Sequence, residues 1–330
     1  MRAIIPAAGH GTRLRPLTHT RPKALVTVGT KPIIGHIADM LIPLGCDSMV
    51  FIISETGHDI PAYVKDHYPD VDVSYVIQRD RLGLGHAVYM TREIASDDEL
   101  IIIYGDTIVK GDYSAILNRE AEVLIGVKEV DDPRRFGVVN QSDGFITRFV
   151  EKPDVPESNL AIVGLNYFKD PVALFDAIQY VINNDIRTKG EYQITDAFQN
   201  MVDNGMKMKA FGIDEWFDCG TPETLLATNR YMLDSDALNR TVEGSVIIPP
   251  VSLPESVTVT NSIIGPHVSV GENATIENTI ISDSIIGDHA RVSGAILAHS
   301  LIGENAEVVE HLRKVTIGDH SRLDFTGQVD

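Results

Sequence analysis

Cysteine is scarce in this 330-residue chain: there are two, Cys46 and Cys219, far apart and outside any CxxC spacing. That excludes a disulfide framework and a thiolate metal site. Long apolar runs are missing too. No stretch approaches the roughly 18 consecutive apolar residues of a membrane span, and Ala3 to Ala8 is far too short for the core of a signal peptide. Basic residues are outnumbered, 28 Lys and Arg against 47 Asp and Glu, for a formal charge of -19. Such a charge repels nucleic acid and anionic membranes within a Debye length, so neither is an expected partner. Together these absences point to a reduced, cytoplasmic protein.

What is present is ordinary globular material, 43% hydrophobic and 23% charged, in a length that suggests one large folding unit and one smaller. The charge is unevenly spread. The first 31 residues hold Arg2, Arg13, Arg15, Arg21, Lys23 and Lys31 with no acid among them, so a small anion belongs at this end. From Arg2 to about Leu165, short β-branched runs (RAIIP, MVFIIS, VSYVIQ, LIIIY) alternate with helical patterns such as Ile33, Ile34, Ile37, Met40, Leu41 and Leu44. Such alternation predicts a parallel sheet covered by helices, with ligands beyond the carboxyl ends of the strands. After Asp112, strand-like EVLIGVKEV, FGVVN, FITRFV and AIVGLNYF predict an antiparallel extension forming one wall of a pocket. Helices are expected near Ala173 to Ile182 and Ile194 to Val202.

The last 90 residues change character. SIIGPHVSVG at Ser262, SIIGDHARVSG at Ser284, SLIGENAEVV at Ser300 and VTIGDHSRLD at Val315 align on an Ile-Gly pair at offsets of 22, 16 and 15 residues. An aliphatic residue recurs six positions after each Ile: Val270, Val292, Val308 and Leu323. Six-residue spacing resembles the hexapeptide repeat of left-handed parallel β-helices, in which each aliphatic side chain fills a triangular core. Four blocks predict about four coils starting near Val246.

The segment GHGTRLRPLTHTRPK, Gly9 to Lys23, directly follows the strand RAIIP. Two glycines flanking one residue let backbone N–H groups approach a ligand closely, and Arg13, Arg15 and Lys23 add positive charge, a combination suited to a polyphosphate. A dinucleotide fingerprint fails because Leu14 stands at the third glycine position, and no GxxxxGK[ST] is present. The alternative is a glycine turn with solvated arginines. No convincing nucleophilic triad or zinc cluster is seen.

This string resembles the signature of the sugar-1-phosphate nucleotidyltransferases, the family of glucose-1-phosphate thymidylyltransferase and UDP-glucose pyrophosphorylase. Further matches follow: QRDRLGLGHA from Gln78, YGDT ending at Thr107, FGVV from Phe136, EKP from Glu151, SNLAIVGLNYF from Ser158, GEYQITD from Gly190 and WFDCGTPE from Trp216. The resemblance implies an α/β fold: a Rossmann-like mixed-sheet nucleotidyltransferase domain over residues 1–240, then a short left-handed parallel β-helix over residues 241–330. It implies that a nucleoside triphosphate and a sugar 1-phosphate yield a nucleotide sugar and pyrophosphate. Ala8, Gly9, Gly11, Thr12 and Arg13 would hold the nucleotide's phosphates, with Gln78 and Gly83 reading the base. Lys23 would bridge the α-phosphate and the sugar phosphate. Gly137, Glu151 and Gly164 would line the sugar site, and Lys152 would grip the sugar's phosphate. Asp106 and Asp218 would share a Mg²⁺ ion. The reaction brings two anions together, so neutralising charge and aligning reactants are its main requirements, and no base is needed.

Plainer readings stand beside these: Asp106 starting a turn, Asp218 capping the helix that begins near Pro222, Gly83 and Gly85 as hinges, and Cys219 as packing. The histidines of the repeat, His267, His289, His299, His311 and His320, raise a second activity, that of a bifunctional N-acetylglucosamine-1-phosphate uridylyltransferase and acetyltransferase. A catalytically silent regulatory relative is a third reading. GLGHA at Gly83 resembles uridylyl-transferring members, whereas the length and the LRKVTIGDHSRLD ending resemble long thymidylyltransferases. The expected substrates are glucose 1-phosphate with dTTP or UTP, in a homo-oligomer built through the β-helix.

Overall fold

The computed structural model describes residues 1–9 and 11–310. Four parallel strands form one side of a nine-stranded sheet: β1 (Arg2–Pro6), β2 (Ser48–Ile53), β3 (Asp72–Ile77) and β4 (Leu100–Ile103), in the order β4-β1-β2-β3 with β3 at the edge. β1, β2 and β4 read as continuous apolar runs because both of their faces are covered, whereas β3 is the edge strand and leaves Asp72 and Tyr75 exposed. Ala3, Ile5, Met49, Phe51, Ile53, Ile101 and Ile103 pack on one side, with helices α1 (Ile33–Leu41) and α2 (Asp59–His67). Their neighbours Ile4, Val50, Ile52, Leu100 and Ile102 pack on the other. That side is closed by α3 (Leu84–Tyr89), α4 (Val172–Asn183) and α5 (Ile194–Asp203). The period-two alternation of the strand is what divides one apolar segment between two cores.

The antiparallel extension lies where the sequence put it. Strand β5 (Thr107–Lys110) leaves the main sheet, and β6 (Val123–Glu129), β7 (Gly137–Ser142), β8 (Phe145–Glu151) and β9 (Leu160–Phe168) add to it. Residues 165–168 of β9 pair antiparallel with β4, and Ala161 pairs with Val138 of β7, so one long strand joins the two halves. The sheet is completed by β10 (Met208–Gly212), parallel to β6. Away from it, β11 (Glu215–Asp218) forms a two-stranded ribbon with β5. Helix α6 (Pro222–Asp236) starts with Pro at its first position and Thr221 as cap, the Thr221 hydroxyl accepting from Thr224 N and the Thr224 hydroxyl accepting from Thr221 N. Asp218 is therefore not the cap.

Beyond α6 the chain winds into a left-handed β-helix of three sheets with four parallel strands each. Its core is a column of Ile, Val and Ala, with Val251, Ile264, Val268, Ile276, Ile281, Ile286 and Val292 fully buried. The first Ile-Gly block is out of phase with the expected alignment. Ile264 stacks between Ile247 and Ile281, whereas Ile286 stacks between Val270 and Ile302. The offset of 22 is one coil plus one six-residue face; because every face presents an aliphatic residue at the same spacing, sequence alignment slips by a face without penalty. The block at Val315, with His311, His320 and Leu323, lies outside the described residues. Gly287 turns a corner where coils meet closely: a Cβ there would stand 2.6 Å from Glu304 N.

One solenoid sheet docks on the first domain, and Ile285 and Leu301 extend the core that holds Leu225 and Met232 of α6. At the centre of this contact Asn229 Oδ1 accepts from Gly29 N at 2.8 Å, and the Ser269 hydroxyl lies 2.7 Å from both Asn229 Oδ1 and the Gly29 carbonyl. Both side chains are fully buried. Arg230 pairs with Asp283, and His267 with Asp234 at 3.1 Å, at the margin. Removing a buried acceptor leaves donors unpaired, so Asn229→Ala should lower the unfolding free energy by about 1–3 kcal/mol in chemical denaturation. A change too small to resolve would show that this knot does not secure the two units.

Candidate active site

Strands β1 and β4 run side by side in register, so their carboxyl ends open at one place. Two loops leave there. After β1 comes the glycine segment, with Gly11 in the left-handed region (φ 56°), followed by a 3₁₀ turn over Thr12–Leu14 that buries Leu14. After β4, Gly105 crosses the end of β1, its N–H donating to Pro6 O at 3.0 Å, and delivers Asp106 to the same mouth. The β5–β11 ribbon sets Asp218 opposite Thr107, and Cys219 N donates to Asp106 O at 3.2 Å. Residues 112 positions apart in sequence thus become neighbours.

Between the two acids lies a lysine. Lys23, 9% exposed, donates to Asp106 Oδ2 at 2.6 Å, and its ammonium is 4.0 Å from Asp218 Oδ1. Arg13 joins them: a Cβ added to Gly220 would meet both Arg13 Nη2 and Asp218 Oδ1 at 2.8 Å. Arg13, Asp106 and Asp218 line an open cleft of about 680 Å³ together with Gly137, Glu151 and Lys152. Gly9, Lys23 and Asp106 line a smaller adjoining hollow of about 190 Å³, and Leu84, Tyr104 and Asp106 are common to both. In a chain of charge -19 the cleft wall is balanced, with Arg13, Arg134, Arg135 and Lys152 facing Asp106, Glu151, Glu191 and Asp218. Such a wall accepts an anion and retains carboxylates for a cation.

The antiparallel extension supplies the far side. Glu151 Oε2 accepts from Thr195 Oγ1 at 3.0 Å while its other oxygen is 3.3 Å from Lys152 Nζ. Lys152 itself has a left-handed backbone (φ 43°), a conformation rare outside glycine and one that clusters at functional sites. Gly164 does not reach the cleft; it supports Tyr104, whose ring covers it, at the register shift of β9. Burial pushes the Tyr104 phenol upward, so it faces the cleft as a neutral hydroxyl.

The remaining predicted residues lie around this centre. Ala8 O accepts from Arg81 at 3.2 Å, which ties the loop after β3 to the glycine segment. Gln78 follows β3 directly, its N–H donating to Ile53 O. Gln78, Gly11 and Thr12 stand at the carboxyl edge of the sheet but outside the lining of the two hollows. Gly83 is not a hinge: a Cβ there would be 2.5 Å from Tyr192 O, so glycine permits backbone 191–193 to pack against it. Cys219 is fully buried beside Thr228, its thiol pushed up to about 12 by desolvation, and acts as packing. Sequence reasoning missed Tyr104, Gln193, Thr195, Trp216 and the pair Arg134 and Arg135, all of which line the cleft. Tyr104, Gln193, Thr195 and Trp216 belong to segments whose resemblance was recognised, but types common in any core gave no reason to single them out.

A mixed sheet with a glycine loop, a convergent pair of acids and interleaved cations at its carboxyl edge defines a nucleotide-handling α/β enzyme. The nucleotidyl transferase family profile matches residues 2–235. The UTP–glucose-1-phosphate uridylyltransferase AglF of Haloferax volcanii is 36% identical over 68% of this chain and 93% of its own. The glucose-1-phosphate thymidylyltransferase of Streptomyces antibioticus is 33% identical over 74% and 69%. A Bacillus anthracis crystal structure assigned as a glucose-1-phosphate thymidylyltransferase superposes with a TM-score of 0.61 at 25% identity, covering 73% of this chain and 98% of that one. The chain belongs to the nucleotidyl transferase family, in its sugar-1-phosphate branch.

Gly164→Ala places a methyl 2.4 Å from the Tyr104 ring at φ 85°. It should destabilise the fold by about 1–3 kcal/mol and depress turnover by displacing Tyr104. Denaturation and rate measured on the same preparation check this, and wild-type values in both would show the contact to be slack.

Proposed function

We propose that the enzyme couples glucose 1-phosphate to dTTP or UTP, with the glycine loop and Arg13 holding the triphosphate and Lys23 bridging the two reacting phosphates. The observation that carries this reading is Lys23, held nearly buried between Asp106 and Asp218 at the mouth of the β1 and β4 loops. The nucleophile is already an anion at neutral pH, so the chain's task is to bring two anions together. Arg13 and Lys23 supply fixed positive charge, and the cleft walls hold the partners in line. Gln78 and Gly83 read the base; Gly137 and Glu151 line the sugar side, Gly164 acts through Tyr104, and Lys152 reaches the sugar's phosphate.

A pair of convergent carboxylates suits Mg²⁺, which takes one or two protein oxygens together with substrate phosphates. Among the described residues no larger group of potential ligands gathers, which fits an ion shared with substrate rather than caged by protein. Asp106 and Asp218 would hold it, and when bound it adds charge neutralisation at the phosphate oxygens. Without an ion, Lys23 supplies the neutralising charge to these acids.

We further infer that residues 1–240 are the catalytic domain, that residues 241–330 are a solenoid through which copies of the chain associate, and that the enzyme works in the cytoplasm. No helix among the described residues is long and apolar enough to cross a membrane. For association, one solenoid face carries the ladder Val246, Ile263, Ile280 and Ile296, all exposed and one above another, with Ile248 beside it. No charged residue interrupts these strands, whereas the solvent-facing sheet carries Glu277, Arg291 and Glu307. An uncharged apolar ladder is where strongly acidic copies meet with least repulsion. The acetyl-transfer alternative would rest on the repeat histidines, of which His267 is paired with Asp234 and His299 with Asp283.

Pyrophosphate release, measured across nucleoside triphosphates and sugar 1-phosphates, tests the substrate reading; absence of release with glucose 1-phosphate and either dTTP or UTP would overturn it. Arg13→Ala and Asp106→Ala should each reduce turnover by about 10²- to 10³-fold. Near-normal rates would remove the residue concerned from the mechanism. Ile280→Lys should convert the wild-type oligomer to a smaller species in light scattering at unchanged turnover.

A further inference from the structure

Arg21 and Lys23 flank Pro22, whose ring fixes the backbone between them. Lys23 points to Asp106 in the cleft, whereas Arg21 reaches the solenoid. Its Nη1 donates to Asp288 Oδ2 at 3.1 Å and to Glu304 Oε2 at 2.8 Å. The two acids follow Gly287 and Gly303 at the same corner of successive coils, where Asn305 N donates to Asp288 O. Asp288 is itself fixed, since its Oδ1 accepts from Glu272 N at 3.0 Å. The guanidinium thus meets a pair of carboxylates supplied by the solenoid, one of them anchored and the other, Glu304, 40% exposed.

The rest of this contact is loosely filled. A cavity of about 270 Å³, lined by Leu17, Val26, Leu225, Ile285, Leu301 and Ile302, separates the segment from the solenoid. The Arg21 ion pairs bridge the two units beside that space. The segment is closed on its own side by Thr18 Oγ1, which donates to Gly11 O at 2.7 Å, so Gly11, Arg21 and Lys23 belong to one short tied stretch of chain. Without the cation, two carboxylates on successive coils, whose backbones stack about 4.8 Å apart, would face each other behind the loop.

We propose that Arg21 is a positioning residue for the nucleoside triphosphate, and that the solenoid, through Asp288 and Glu304, sets the placement of the glycine loop. The proposal rests on the reading that this loop and Arg13 carry the triphosphate. It makes the solenoid part of nucleotide affinity, although none of its residues lines the cleft.

The test is steady-state kinetics on the full chain, varying each substrate in turn. Arg21→Ala and the double variant Asp288→Asn/Glu304→Gln should each raise KM for the triphosphate about five- to tenfold while leaving KM for the sugar 1-phosphate unchanged. Arg21→Lys, which keeps the charge but not the fork, should recover most of the loss and keeps the test readable if the alanine variant does not fold. Glu277→Gln/Glu307→Gln, which removes the same charge from the solvent-facing sheet, should leave both constants at wild-type values. Wild-type nucleotide KM in the Asp288→Asn/Glu304→Gln variant overturns the proposal; if Arg13→Ala is still impaired, the loop reading survives it. A full-rate Arg13→Ala enzyme overturns both. An equal rise in the two KM values also overturns the proposal, because it marks general loosening of the fold.

Discussion

A nearly buried ammonium within 4.0 Å of two carboxylates is the constraint around which this molecule is arranged. A charged lysine withdrawn from water is costly unless paired, and two ionised acids drawn together repel unless a cation lies between them. Each therefore stabilises the other, and none of the three is adjacent in sequence. The sheet solves this by running β1 and β4 parallel and in register, so that the loops carrying Lys23 and Asp106 emerge together. The short β5–β11 ribbon then brings Asp218 back from more than a hundred residues away. The same trio suits a reaction between anions, where charge must already be in place before the substrates arrive.

The solenoid repeats one local rule on three faces, and its surroundings give each face a different fate. All three bury an aliphatic column inside. One sheet lies against α6, with Ser269 hydrogen-bonded into the first domain. A second alternates polar and charged residues toward water, and the third presents the apolar ladder from Val246 to Ile296. What distinguishes them is only the outward residue at each rung. A β-helix can therefore present a docking face, a solvent face and an apolar face at once without altering its core. The corner acids Asp288 and Glu304 extend that logic, since a residue repeated once per coil makes a ladder, and a ladder of like charge invites a cation from outside.

Much of this was readable in the chain itself. Apolar runs of β-branched residues gave the four parallel strands, and helical spacing placed α1, α4 and α5 within a few residues of where they lie. The glycine loop, Asp106 and Asp218 stood out because charge, glycine and motif coincided there. The solenoid was evident from its period, but its phase was not: Ile264 and Ile286 look alike and lie on different faces. Gly83 and Gly164 drew attention as glycines, yet the reason for each is a partner remote in sequence, Tyr192 in one case and Tyr104 in the other. Thr195 and Trp216 went unnoticed because a threonine near the start of a helix or a tryptophan in a strand is unremarkable until something is seen to face it.

The sequence by itself determined the local preferences: which segments are strands, which are helices, where a chain can turn tightly and where positive charge collects. These follow from side-chain period and backbone sterics, which act over a few residues. Only the tertiary structure decided that Lys23 lies between Asp106 and Asp218, that Glu151 answers Thr195, and that Arg21 turns from the cleft to the solenoid. Those are distances between residues far apart along the chain, fixed by strand order and register, and no local property of the sequence encodes them.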